Sequence, residues 1–99
     1  MVSLPQEHQL AVAAEMLKAL ADPSRLRVLL RLAEGELGVG EIADLEREKI
    51  TTISARLKVL SAARLLKRRR EGKMIFYSLA DNHVLNLIGN AIEHACEPQ

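Results

Sequence analysis

At 99 residues, 48% of them hydrophobic, the chain can hold one domain with one modest core and is too short for two. Aromatics at 2% make that core aliphatic, and a net charge of +1 gives no global attraction to nucleic acid. A single cysteine, Cys96, excludes an internal disulfide. No apolar run approaches the ~20 residues of a membrane span, and the start lacks a secretory pattern, so a cytoplasmic protein without membrane contact is expected.

Apolar residues recur at helical spacing from Gln6 to Leu20 (Leu10, Val12, Ala13, Met16, Leu17, Leu20), which predicts a first helix. Asp22-Pro23 restarts the chain: Asp22 suits an N-cap, and Pro23 sits where its missing donor costs nothing. The second helix runs to about Leu32 and is expected to bury Leu26, Leu29 and Leu30, with Val28 and Leu32 on a neighbouring strip. Glu34 to Gly38 punctuates the chain, and a short helix from about Val39 to Leu45 carries Ile42 inward. Glu46-Arg47-Glu48-Lys49 is too polar for a core and reads as a turn. A fourth helix, Ile50 to Ala62, puts Ile53, Leu57 and Leu60 on one face; Thr51, Thr52, Ala55 and Lys58 lie opposite, with Ser54 and Arg56 on the flanks. The period then changes. Leu65–Arg70 and Met74–Leu79 read as strands joined by Glu71-Gly72 as a two-residue loop. Asp81 or Asn82 caps a last helix to about Ala95, whose apolar surface is wider than one small core needs.

Helix, short helix, turn, helix and basic hairpin form the layout of a winged helix-turn-helix, mainly α with a small β-hairpin. In that arrangement the second helix of the motif enters the major groove of duplex DNA. Thr51, Thr52 and Ser54 keep its surface low enough for close approach, and Arg56 and Lys58 can reach bases or phosphates. Arg64, Lys67, Arg68, Arg69, Arg70 and Lys73 crowd around the hairpin, where they can neutralise phosphates and fix register. A basic run taken alone is ordinarily a solvated face. The order of the elements is what points to DNA.

Four segments carry a more specific likeness: Leu17 to Leu26 (LKALADPSRL), Gly35 to Ala43 (GELGVGEIA), Thr52 to Leu60 (TISARLKVL), and Arg69 to Lys73 followed by Phe76 to Leu79. In this order and spacing the chain resembles the ArsR/SmtB family of metal-responsive repressors over nearly its whole length. Two positions depart from the family pattern. The usual Leu-Gly-Leu-Ser type of turn before the reading helix is Glu46-Arg47-Glu48-Lys49 here. The Gly that usually ends that helix is Arg64, which predicts a positive φ at a non-glycine residue. The resemblance also places Gly38 where a second family site uses Cys, implying that neither that soft-metal site nor the paired-Cys arsenic site is present.

Asp81-x-His83 opens the last helix and His94-x-x-Glu97 closes it. Carboxylate and imidazole suit Zn(II), and equally Co(II), Ni(II) or Cd(II). His83 and His94 are eleven positions apart and share a face, yet a rise of ~1.5 Å per residue separates them by about 16 Å. Ligands of one tetrahedral ion sit about 2 Å from it, so one helix cannot close the site, whereas two helices packed antiparallel can. On the residues alone the plainer reading is favoured, with Asp81 an N-cap and the histidines solvated or core residues. The resemblance implies a zinc site at Asp81, His83, His94 and Glu97, as in the SmtB branch, and with it a homodimeric repressor that leaves operator DNA when metal binds. An alternative keeps the fold, leaves those residues idle and takes another signal, such as thiol oxidation at Cys96. His8 and Cys96 read as bystanders to the metal. An enzyme is not expected: there is no nucleophile–base pair or phosphate-cradling glycine loop, and four protein ligands describe a closed site.

Overall fold

The computed structural model describes residues 3–98. Its elements are α1 (Glu7–Leu20), α2 (Pro23–Leu32), β1 (Leu37–Gly38), α3 (Val39–Glu46), α4 (Ile50–Ala62), β2 (Leu66–Glu71), β3 (Met74–Leu79) and α5 (Asn82–Ala95). The two aspartate starts form as the sequence requires. Asp22 accepts from the Arg25 amide at 3.0 Å with Pro23 in the first turn, and Asp81 accepts from the Val84 amide at 3.1 Å.

Val28, Leu29, Ile42, Ile53, Leu57, Leu60, Leu65 and Ile88 are fully buried, so the core is aliphatic throughout. The inward face of α2 differs from expectation. Val28, Leu29 and Leu32 are buried, whereas Leu30 is exposed and Leu26 half-buried. A helix this apolar offers two overlapping stripes, and contact with α3, α4, α5 and β3 selects the one through Val28 and Leu32.

The sheet has the antiparallel order β1-β3-β2. Its third strand, β1, was not expected: two residues, Leu37 and Gly38, pair with Tyr77 and Phe76, too short a stretch to show a period. The hairpin turn is also one residue later than expected. Glu71 pairs with Met74, so Gly72-Lys73 forms the turn, with Gly72 at φ +61° and Lys73 outside the left-handed region. A positive φ at the first central position alone is the type II′ pattern, in which that position favours glycine.

Glu46 is not part of a solvated turn. It ends α3, and its side chain is 3% exposed, accepting from Arg27 Nε at 2.9 Å and Arg31 Nε at 3.0 Å. Burial pushes this carboxyl's pKa up, but the two guanidinium hydrogen bonds outweigh it and hold it below the ordinary value. These contacts tie α2 to α3.

The outer helices are less enclosed. Only Ala19 and Leu20 of α1 are buried, while Leu10, Val12 and Leu17 are exposed. Its last turn is fastened by Arg25, whose guanidinium donates to Ala19 O at 2.7 Å and Lys18 O at 3.3 Å. On α5, Val84 and Ile88 face the core, and Leu85, Leu87 and Ala91 do not.

Candidate nucleic-acid interface and metal half-sites

Two arginines set the orientation of α4. After α3, Arg47 N–H bonds to Asp44 O and Glu48 N–H to Ala43 O; after α4, Arg64 N–H bonds to Ser61 O and Leu65 N–H to Leu60 O. Both pairs are Schellman closures, in which the left-handed residue is usually glycine. Arg64 has φ +64°, as expected from its place in the pattern, and Arg47 has φ +55°. Lys49, in the N-cap position of α4, makes no side-chain cap. Both termini of α4 are therefore held by backbone geometry that the local residue types disfavour.

Over its first nine residues the exposed strip of α4 comprises Ile50, Thr51, Ser54, Ala55 and Lys58. At about 100° per residue these five fall within about 140° of one another. Thr52 lies off this strip and is half-buried. Arg56 lies nearly opposite its centre. Its side chain is 19% exposed, its Nη2 is 3.7 Å from Glu48 Oε1, and its Nη1 is buried without a hydrogen-bond partner. The guanidinium expected to reach DNA is folded back along the helix in this conformation.

The basic hairpin divides likewise. Side chains alternate along β2, so Arg68 and Arg70 share the face opposite Arg69. Arg69 forms a fork with Glu36 (2.7 Å at the shortest), pairs with Glu71 at 2.7 Å, and stands 4.8 Å over the Phe76 ring. Hydrogen bonds from Arg69 draw the Glu36 carboxyl below its ordinary pKa, and Glu36 in turn raises that of Arg69. Arg69 therefore braces the wing against the loop before β1. Among the described residues Arg68, Arg70 and Lys73 form no ion pair; Arg70 Nε donates to Gly72 O at 3.0 Å within the turn. Lys58, Arg68, Arg70 and Lys73 thus remain as exposed cations near α4 and on the wing.

The four residues singled out on α5 form two separate pairs. His83 Nδ1 lies 3.6 Å from Asp81 Oδ1, and His94 Nδ1 lies 3.7 Å from Glu97 Oε2. His83 is 97% exposed and His94 86%. A tetrahedral ion with bonds of about 2 Å has ligand–ligand edges of about 3.3 Å, so each pair is close to one such edge. The Val84 amide lowers the Asp81 carboxyl's pKa most, burial opposes it, and His83 lowers it further. No cluster of three or more His, Cys, Asp or Glu side chains fit to hold an ion exists among the described residues. The donor set fits a divalent ion as two halves, each needing a complement. Leu87 lies within about 40° of both histidines on the helical wheel, in the strip between the halves. Cys96 is exposed at the end of α5.

Sequence reasoning missed Ile50, an exposed apolar residue opening α4, because the helical pattern was read there for what it buries. It also missed Glu36 and Glu48 as arginine partners. Glu36 is 33 positions from Arg69, and nothing in the sequence marks that pairing.

A helix-turn-helix of α3 and α4 beside a basic antiparallel wing defines a winged helix-turn-helix DNA-binding domain. The model of a family described as a helix-turn-helix domain matches residues 20–69. A transcriptional repressor SmtB homolog of Synechocystis is 44% identical over 97% of this chain and 70% of its own length. The transcriptional regulator NmtR of Mycobacterium tuberculosis is 39% identical, over 94% and 78%. Among solved structures, the homodimeric winged helix-turn-helix domain of a possible ArsR-family regulator from Mycobacterium bovis superposes with a TM-score of 0.86. It is 34% identical, and the match covers 96% of this chain and 90% of that one. The chain belongs to the ArsR/SmtB family of winged-helix transcriptional regulators. This is a regulatory family, not an enzymatic one. No helix among the described residues is long and apolar enough to cross a membrane.

Proposed function

We propose that this chain is a transcriptional repressor whose homodimer binds a two-fold symmetric operator without metal and releases it when Zn(II), or Co(II), Ni(II) or Cd(II), binds between subunits. The observation that carries the reading is the pair of exposed half-sites on α5, each with its two ligand atoms 3.6–3.7 Å apart. Leu87 between them gives a partner helix an apolar seat, so antiparallel packing would bring Asp81 and His83 of one protomer to His94 and Glu97 of the other. The repressor and regulator names of the Synechocystis and Mycobacterium relatives support the assignment.

Thr51, Ser54 and Lys58 are assigned to the major groove, and Arg68, Arg70 and Lys73 to phosphates, while Thr52, half-buried off that strip, is not. Arg56 and Arg69, held by Glu48 and Glu36, shape that surface. A bound divalent cation supplies a rigid cross-link of fixed geometry between the two α5 helices. Helices tied in this way set the spacing of the two α4 helices away from the roughly 34 Å of one DNA turn. Linkage then requires DNA to weaken metal binding by the same factor.

The test is fluorescence anisotropy of the purified protein on its own upstream DNA, titrated with zinc. Zinc should raise the dissociation constant in the wild type, and His83→Ala or His94→Ala should abolish both zinc binding and the response while keeping metal-free DNA affinity. Retention of metal-driven release by either variant would overturn the site. A DNA-binding dimer that takes up no zinc would instead fit a repressor answering another signal, with Cys96→Ser the next variant.

A further inference from the structure

The reading strip of α4 carries an unusual chemical bias. Its exposed groups are the branched alkyl chain of Ile50, the hydroxyls of Thr51 and Ser54, the methyl of Ala55 and the amine of Lys58. It offers no Asn or Gln amide for bidentate pairing with adenine. The one arginine of α4, whose fork would suit guanine, points away and lies beside Glu48. Ile50 is 58% exposed, whereas Ile53, Leu57 and Leu60 of the same helix are completely covered. Ile50 lies in the first turn of α4, the part of a recognition helix that meets base edges.

We propose that Ile50 is a specificity-determining residue that packs on the C5-methyl group of a thymine, so the preferred duplex has a thymine in each half-site opposite the start of α4. The inference rests on the DNA-binding reading above and adds the chemistry of one contact. In the major groove only thymine offers an apolar group, and an exposed isoleucine there is matched by a methyl and by no other base-edge feature. The surroundings select nucleic acid over an apolar protein partner. Lys49 precedes Ile50 and Lys58 lies further along the same strip, whereas the apolar α1–α4 groove lies at the other end of α4, beside Ala62 and Ala63. Glu48 contributes by keeping the Arg56 fork off the strip, leaving methyl contact as its most selective element.

The experiment first selects the tightest-bound duplex from a randomised pool with metal-free protein. Each thymine is then replaced by uracil, which deletes the C5-methyl alone, and affinities are compared by anisotropy. One uracil in a single half-site should weaken wild-type binding by about fourfold, the worth of one buried methyl group, and one in each half-site by about fifteenfold. Ile50→Ala should bind the thymine and uracil duplexes equally, and Ile50→Val should retain most of the preference. Because Ile50 is exposed, both variants should melt with the wild type. If every uracil substitution is neutral in the wild type, or if Ile50→Ala still discriminates thymine from uracil, the inference is overturned while the function stands. If no duplex is bound even at low salt, both fall.

Discussion

Helices α1 and α5 are each 14 residues long, yet leave Leu10, Leu17, Leu85 and Leu87 exposed; the shorter α2 and α3 with α4 completely enclose Leu29, Ile42, Ile53, Leu57 and Leu60. The central helices supply most of the enclosed core, although Leu30, Leu45, Ile50 and Val59 on them are exposed, whereas α1 and α5 bury only Ala19, Leu20, Val84 and Ile88. Two kinds of stability follow. The centre owes its stability to packing within the chain, and in the proposed dimer the periphery would gain its own from a second copy.

The largest effect should come from cutting into the centre. Leu57→Ala deletes a fully buried side chain between α4 and its neighbours and should cost about 4 kcal/mol, lowering the melting temperature at every protein concentration. Leu87→Glu addresses the periphery: a carboxylate buried in an apolar seam should weaken dimerisation about a hundredfold, roughly 3 kcal/mol, and zinc affinity with it. Sedimentation and zinc titration should move together. A Leu87→Glu dimer of wild-type strength would erase the contrast between the two regions.

Glu46 tests whether the centre depends on polar as well as apolar contacts. Glu46→Ala removes the carboxylate shared by Arg27 and Arg31, leaving Arg31 only the Leu45 carbonyl, and should cost about 2 kcal/mol in chemical denaturation. Its carboxyl sits below the ordinary glutamate value when folded, so the stability it contributes is present above that ordinary value and is lost as pH falls through the lower folded one. Glu46→Gln should flatten this part of the acid limb in a pH series of unfolding curves. The smallest effect is a gain. Lys49→Ser supplies the side-chain cap that α4 lacks and should add about 1 kcal/mol, raising the melting temperature by about 4–8 °C.

Much of the fold was legible because it rests on local rules. Asp22-Pro23, the helical period of α4 and the Asp81 cap each name a boundary, and the glycine replaced at position 64 foretold a left-handed arginine. Three features were not legible. β1 is set by pairing with distant Tyr77 and Phe76, the buried stripe of α2 by its neighbours, and the fate of Arg56 and Arg69 by carboxylates reached only after folding. At the candidate site, the sequence indicated which residue types cluster; it could not say which cations remain free. On α5 the rise of an α-helix sufficed to divide the four donors into two pairs, because that division depends on no tertiary contact.

The fastening of α1 at one end has a further consequence. Arg25 grips the carbonyls of its last turn, while the preceding turns rely on hydrogen bonds within a helix whose length is marginal in isolation. In a lone protomer, deuterium should therefore enter the amides from Leu10 to Glu15 rapidly and those of the last turn slowly, and dilution should steepen the gradient. If α1 packs against the second subunit, the first helix would then serve as an intrinsic gauge of subunit exchange, readable by mass spectrometry without a label, a metal or DNA.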